Sequence, residues 1–457
     1  MTAAMGDSAS TTGDSASPAA DGTAPRGWYT VILLGVVSML SFIDRGVMAL
    51  FVQPMKRDFD LSDTQVSLLL GLAFTLPYFV VGLPMARLID RGNRRSLIAG
   101  CLALWSFATA LCGVAQNFWT LVVCRFVTGG AESVNTSGSL SMIADAVPRE
   151  RMPRAFAVQS LGVAGGSALS LLIGGVLYGA LAHLKPIHVA GLGVIYNWQL
   201  VLMIVGLPGL LVALLMLVTV PEPHRKGGTR PGGYPLREVF GFVLGQASLH
   251  VPLLLGMLLL AVMTHGYTAW MPAFYDRTYG WGPAKIGPLL GIISLFTAIG
   301  GLFLGAMLAE RFAKRRDDAN LHVMFLSHLL AQPLLVIMPL MPTPWAALAC
   351  GAVAGIAQVM GGPAFSAAIQ VTTPNEMRAQ VTVLYAASIT AIGGSIGPTL
   401  IGVMSDHLAR SEGDLRYVLV AVKVIFGPLA VFCIWKAIRP YARFYRQKLD
   451  ADAGVTG

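Results

Sequence analysis

The chain has 457 residues, 55% of them hydrophobic and only 12% charged, which is about half the charge fraction of an ordinary soluble domain. This excludes a large soluble core and implies an integral membrane protein. The net charge of +9 does not indicate a nucleic-acid partner, because the basic residues cluster in short loops between apolar runs.

In chain order, residues 1–27 are rich in Ser, Ala, Thr, Gly and Asp and lack the basic and apolar regions of a signal peptide. They read as a disordered cytoplasmic tail. Trp28 is an interfacial anchor where the first membrane helix begins. A span needs about 20 apolar residues. Twelve segments qualify: 28–53, 64–88, 96–115, 118–143, 154–182, 198–220, 249–275, 284–309, 321–341, 344–372, 379–404 and 415–437. Ser62 and Gln65 form a capping box that opens the second. The expected fold is therefore all-α, with a six-helix bundle over 28–220 and a second over 249–438. A polar, Gly/Pro-rich cytoplasmic linker over 221–248 joins them, and 439–457 form a cytoplasmic tail.

Every even-numbered span is followed by basic residues. Arg91, Arg94 and Arg95 follow the second, Arg149, Arg151 and Arg154 the fourth, and Arg225, Lys226, Arg230 and Arg237 the sixth. Arg311, Lys314, Arg315 and Arg316 follow the eighth, Arg378 the tenth, and Arg439, Arg443, Arg446 and Lys448 the twelfth. By the positive-inside rule both termini are cytoplasmic, in a multi-pass membrane protein. An internal repeat links ARLIDRGNRR (86–95) with AMLAERFAKR (306–315), and PRERMPRAF (148–156) with PNEMRAQV (374–381). Each echo leaves six spans per half, the pattern of a secondary transporter with its site between the halves.

Four charges interrupt the apolar runs of the first half: Asp44 and Arg45 in span one, Arg125 and Glu132 in span four. A charge near the bilayer midplane costs at least a few kcal/mol and is functional by default. At 1.5 Å per residue, Arg125 lies about 10 Å and Glu132 about 21 Å below the outer end of span four, on one helix face. Asp44 and Arg45 lie about 12–14 Å below the outer end of span one, so the pairs overlap in depth. The second half shows no midspan charge on this reading. Its polar and aromatic offer is His265, Tyr267 and Trp270 in span seven and Gln358 in span ten. The five cysteines sit singly in apolar runs, without metal-ligand spacing, and no phosphate-cradling GxxxxGK loop or hydrolytic triad spacing occurs. No enzymatic activity, metal or cofactor is expected.

Asp90-Arg91-Gly92-Asn93-Arg94-Arg95 resembles the G-x-x-x-D-R-x-G-R-R loop motif of the major facilitator superfamily, with Ala86 and Asn93 in place of its glycines. Glu310-Arg311 is a degenerate second copy, and Pro221-Glu222-Pro223 follows span six. The stretches FIDRG (42–46), 61–98, 103–133 and 143–157 further resemble the spinster group of that superfamily. That group is similar to proton-linked carriers of lysolipids and sphingoid lipids such as sphingosine-1-phosphate, with the acid–arginine pair of span one and the Arg-x6-Glu of span four as hallmarks.

The resemblance implies that spans one and four line one cavity, so Arg125 is expected to meet Asp44, and Arg45 to meet Glu132. A buried carboxylate beside an arginine stays ionised, and without it desolvation favours the neutral acid. An anionic headgroup that takes the arginine therefore readies Asp44 or Glu132 for a proton, and a proton frees Arg45 or Arg125 to grip phosphate. His265, Tyr267, Trp270 and Gln358 are expected to complete an apolar wall. Asp90, with Arg91 and Arg94, is expected to bond a neighbouring helix end or Arg154 and to gate the cycle, as are Glu310 and Arg311 in the second half. The expected function is proton-coupled efflux of an anionic amphipathic lipid by a monomer, driven by the proton gradient without a cofactor. The alternatives are a carrier of a small organic anion or drug, and a non-transporting sensor.

Overall fold

The computed structural model describes residues 24–191, 193–225, 235–374 and 376–454. The first half contains α1 (Ala24–Val47), a 3-10 turn at Met48–Phe51, α2 (Val52–Phe59), α3 (Asp63–Leu70), α4 (Leu72–Arg91), α5 (Arg94–Cys112), α6 (Phe118–Ala146), α7 (Met152–Leu181) and α8 (Asn197–Thr219). After α9 (Leu236–Gly245), the second half contains α10 (Ala247–Tyr279), α11 (Pro283–Ala313), α12 (Ala319–Ile337), α13 (Pro344–Val359), α14 (Gly361–Thr372), α15 (Arg378–Leu408) and α16 (Leu415–Gly454).

Each predicted span coincides with one helix or one pair of nearly continuous helices. Eleven of the described stretches are long and apolar enough to cross a membrane. The twelfth expected span is α6, long enough at 29 residues but diluted by Arg125, Glu132 and a run of Gly, Ser, Thr and Asn. Its polar character is tolerated because it packs between α4 and α5 and touches α1. The architecture is all-α, with α1 on α7 and α5 on α8 in one half, and α10 on α15 and α16 in the other.

Three features depart from the sequence reading. The loop after α7 carries a small antiparallel hairpin of β1 (Ile187–Val189) and β2 (Gly193–Ile195), paired Ile187 to Ile195. Its turn uses Gly191 at φ +81° and Gly193 at φ +87°, a region where a side chain is strained. The linker holds α9, anchored by buried Val239 and Val243; at ten residues it is too short to register as a span. The segment from 439 onward continues α16 as helix to Gly454. Residues 1–23, most of the expected tail, and 226–234, including Lys226 and Arg230, lie outside the described residues.

The first turn of α1 and the last turns of α4, α6, α8, α11 and α16 share one face of the molecule, here the terminal face. The loops at 60–62, 113–117, 182–196, 280–282, 341–343 and 409–414 share the opposite face.

Candidate functional site

The site begins with two interruptions. Span one loosens into its 3-10 turn just after Asp44 and Arg45, and span two breaks at Gly71, between α3 and α4. The break releases carbonyls from the helical ladder. One of them, the Leu69 carbonyl, accepts a hydrogen bond from Arg125 Nε at 3.3 Å. Gly71 is also a place of close approach: a Cβ there would lie 2.9 Å from the Ser395 carbonyl oxygen of α15, in the other half.

A cavity of about 320 Å³ lies between the halves. Phe42, Arg45, Phe74, Tyr78 and Arg125 line its first-half wall, and Thr264, His265, Thr268, Thr390 and Pro398 line the second. Arg45 Nε donates to Glu132 Oε2 at 2.6 Å, and Ser41 Oγ donates to the same oxygen at 2.7 Å. Glu132 is fully buried, and its Oε1 has no hydrogen-bond partner. The Arg45 guanidinium lies 4.8 Å from the Phe74 ring and 4.9 Å from that of Tyr78, while Arg125 lies 4.7 Å from Phe74. One phenyl ring thus separates two cations and offers each its negative face.

The expected Arg45–Glu132 pair is formed. The expected Arg125–Asp44 pair is not: Arg125 spends its Nε on the carbonyl that the Gly71 break releases. Asp44 is buried with Oδ1 unpartnered, within electrostatic reach of Arg125 and Glu132. His265 lines the central cavity, with Nδ1 at 2.9 Å from the Ala261 carbonyl. Gln358 and Tyr267 line a neighbouring cavity instead. Trp270 lines neither: its indole N–H donates to the Pro398 carbonyl at 3.0 Å, a packing role between α10 and α15.

The loop motif also behaves differently from expectation. Asp90 and Arg154 are exposed and form no ion pair with each other; Arg91, Glu310 and Arg311 are exposed as well. Arg94 is the buried member. It pairs with Asp145 and, at 2.9 Å, with Glu222, and donates to Ser141 Oγ at 3.0 Å and to the Pro223 carbonyl at 2.8 Å. The end of α4 is held by Arg225, which donates to the carbonyls of Ile89, Asp90 and Gly92. Arg225 reaches these C-terminal carbonyls from just beyond α8, where a cation also suits the helix dipole. All these bonds stay within the first half and the segment after it.

Two charged groups were missed by sequence reasoning. Arg277, near the end of α10, lies two residues beyond the predicted limit of span seven. It grips Asp63 with two bonds of 2.7 Å each, reaches Glu412 at 2.8 Å and Gln53 at 2.8 Å. Lys56 joins the same cluster, at 2.9 Å from Asp63 and 2.6 Å from Glu412. Ser405 donates to Asp63 at 2.6 Å, and Asp406 accepts from the backbone N–H groups of Asp63 and Thr64 at 3.0 and 2.7 Å. Lys423, midway along α16, corrects the expectation of a second half without midspan charge. A single lysine among apolar residues leaves the hydropathy of a span almost unchanged; scanning each span for ionisable residues finds it.

Among the described residues, every ion pair that joins the halves belongs to the Asp63–Arg277 cluster at the opposite face. Glycines tighten the same side: a Cβ on Gly175 of α7 would lie 2.5 Å from Pro288 Cδ of α11. The central cavity is sealed there, and no ion pair between described residues bridges the halves at the terminal face.

Residues 34–398 match the Major Facilitator Superfamily. The chain belongs to that superfamily. As a major facilitator transporter it is similar to an MFS-type efflux pump of Mycolicibacterium smegmatis, at 27% identity over 92% of this chain and 94% of that protein. It is 23% identical to the zebrafish (Danio rerio) sphingosine-1-phosphate transporter SPNS2, over 63% of this chain and 58% of that protein. Among solved structures it is similar to a bacterial homolog of the human lysosomal transporter spinster, in an inward-facing and unoccupied conformation. That match has a TM-score of 0.76 at 25% identity and covers 93% of this transporter and 98% of that chain.

Proposed function

We propose that this transporter moves an anionic amphipathic lipid, of the sphingoid phosphate or lysophospholipid class, by proton-coupled alternating access in the efflux direction. The observation that carries the reading is Glu132. One of its carboxylate oxygens is held by Arg45 and Ser41 and the other is bare, in a fully buried position beside a cavity that Arg45 and Arg125 line. An anion that draws Arg45 away removes the only cation bonded to Glu132 among the described residues and leaves an oxygen placed to take a proton. Asp44, also with a bare oxygen, serves the same exchange with Arg125 as its neighbour. The basic terminal face is the cytoplasmic one, so the conformation described here faces inward. Phe42, Phe74, Leu70 and Leu171 give the cavity the apolar wall that a tail requires.

The test is flux in proteoliposomes that hold a pH gradient, with a fluorescent lysolipid or sphingoid phosphate, beside a Glu132→Gln variant. Gradient-dependent movement that is lost in the variant supports the reading. Lipid movement with an unchanged pH dependence in Glu132→Gln removes Glu132 from coupling. Binding without flux in the native chain supports a sensor instead. A second reading, a carrier of a small organic anion or drug, is favoured by the likeness to an efflux pump and by the second, hydroxyl-lined cavity. It predicts that a soluble anion competes for transport and that lysolipid does not.

A further inference from the structure

Lys423 stands eight residues into α16, about 12 Å along the helix from its start. It is 1% exposed. Its ammonium lies 4.5 Å from the centre of the Tyr267 ring, and no ion pair or hydrogen bond engages it among the described residues. No counter-ion is at hand. Every acid between 249 and 438 lies in a loop or within the last turns of a helix: Asp276, Glu310, Asp317, Asp318, Glu376, Asp406, Glu412 and Asp414. The groups that face it from α12 and α10 are uncharged or share its sign, namely His328, Gln332 and Tyr267. Gln332 is itself buried, with both amide atoms unpartnered. A buried cation without a partner is a loss of stability and is retained in a membrane span where it serves a ligand or a pathway.

The ammonium has somewhere to act. Lys423 lines a cavity of about 210 Å³ within the second half, together with Tyr267, Ser294, Thr297 and Gln358. Thr264 and Thr268 line both this cavity and the central one, so the two share a wall. Gln358 is oriented by its bond to Thr264 Oγ1 at 2.6 Å. An ammonium, a primary amide and several hydroxyls around a small space match the acceptor oxygens of a carboxylate or phosphate.

We propose that this cavity is a second anion-accepting subsite, with Lys423 as its cation, for a carboxylate or phosphate group that arrives through the central cavity. The inference rests on the proposed transport through that cavity and adds a charge requirement on the second half. Arg45 and Arg125 hold the anion from one side and Lys423 from the other, so the solute meets positive charge on both halves as they rock.

The experiment is equilibrium binding to the purified full-length chain and its Lys423→Met and Lys423→Arg variants. The probes are a medium-chain lysophosphatidic acid, the uncharged monoacylglycerol of equal chain length, and glycerol phosphate as the same anion without a tail. Methionine fills the lysine stem, so the variant is expected to fold and to melt higher than the native chain without ligand. Lys423→Met should weaken lysophosphatidic acid by about tenfold or more, the value of one charged hydrogen-bonded contact, with Lys423→Arg within about threefold of native. Monoacylglycerol should bind all three alike. Equal weakening of glycerol phosphate assigns the subsite to any such anion, and weakening of the lipid alone assigns it to the headgroup of an amphipath; both support the subsite. Native affinity of Lys423→Met for both anions overturns it. If Arg45→Ala loses the anionic lipid while Lys423→Met keeps it, the subsite falls and the transport reading stands. If both variants bind as the native chain does, both fall.

Discussion

Replacing Arg277 by glutamine should open the opposite face. The side chain makes two 2.7 Å bonds to Asp63 and one of 2.8 Å to Glu412, and it is nearly buried. Removing one member of a buried, hydrogen-bonded charge pair costs about 2–5 kcal/mol, and the low end applies here because Lys56 and Ser405 stay on Asp63. Arg277 and Asp63 belong to different halves, so that cost falls on the sealed conformation and not on one in which the halves have parted there. Two kcal/mol shifts the balance by about thirtyfold, enough to raise a state populated at about 1% to about 20%. A cysteine at Ser167, exposed on the cavity wall, in a background freed of the five native cysteines, reports the shift through membrane-impermeant maleimide added from either side. Labelling from the opposite face should rise by at least about tenfold and labelling from the terminal face should fall. Unchanged labelling from both faces would refute the seal.

Gly175→Val should act in the same direction by a steric route. Its first added atom meets Pro288 Cδ at 2.5 Å, and overpacking of this kind costs about 1–3 kcal/mol in the conformation that brings α7 and α11 together; the same labelling assay reads it. Arg94→Ala should lower thermal stability by about 3 kcal/mol, since it removes the buried cation that Asp145 and Glu222 share, while binding at the central cavity stays within about twofold. Arg94→Lys should recover only part of that stability, because a lysine cannot reproduce the fork. Thermal unfolding in detergent measures both.

The helices were legible because membrane spans are set by length and apolarity, which a sequence states openly. The Arg45–Glu132 pair was legible for a related reason: at 1.5 Å per residue, depth follows from position, the charges of spans one and four overlap in range, and the long arginine side chain covers the remaining offset to Glu132. The Arg125–Asp44 pair failed because depth says nothing about competing acceptors, and the Leu69 carbonyl is freed by a helix break that no motif around Gly71 announces. Asp90, Arg91 and Arg94 read alike as loop charges because the motif presents them side by side, whereas burial, which singles out Arg94, follows only from the packing. Arg277 and Asp63 lie 214 positions apart, in loop-like surroundings on both sides, and only the closure of the two halves brings them together.

The bonds from Asp406 to the first amides of α3 place the end cap of a first-half helix on the second half. Ser62 and Gln65 cap that helix from within its own chain segment, and those bonds travel with it. The Asp63 and Thr64 amides have no such local substitute, so each time the halves part at this face two peptide groups pass from a carboxylate to water. The transport cycle therefore includes a small solvation cycle of the backbone. Amide hydrogen exchange at Asp63 and Thr64 should track the fraction of time spent open to that side, and it does so without any label in the substrate path.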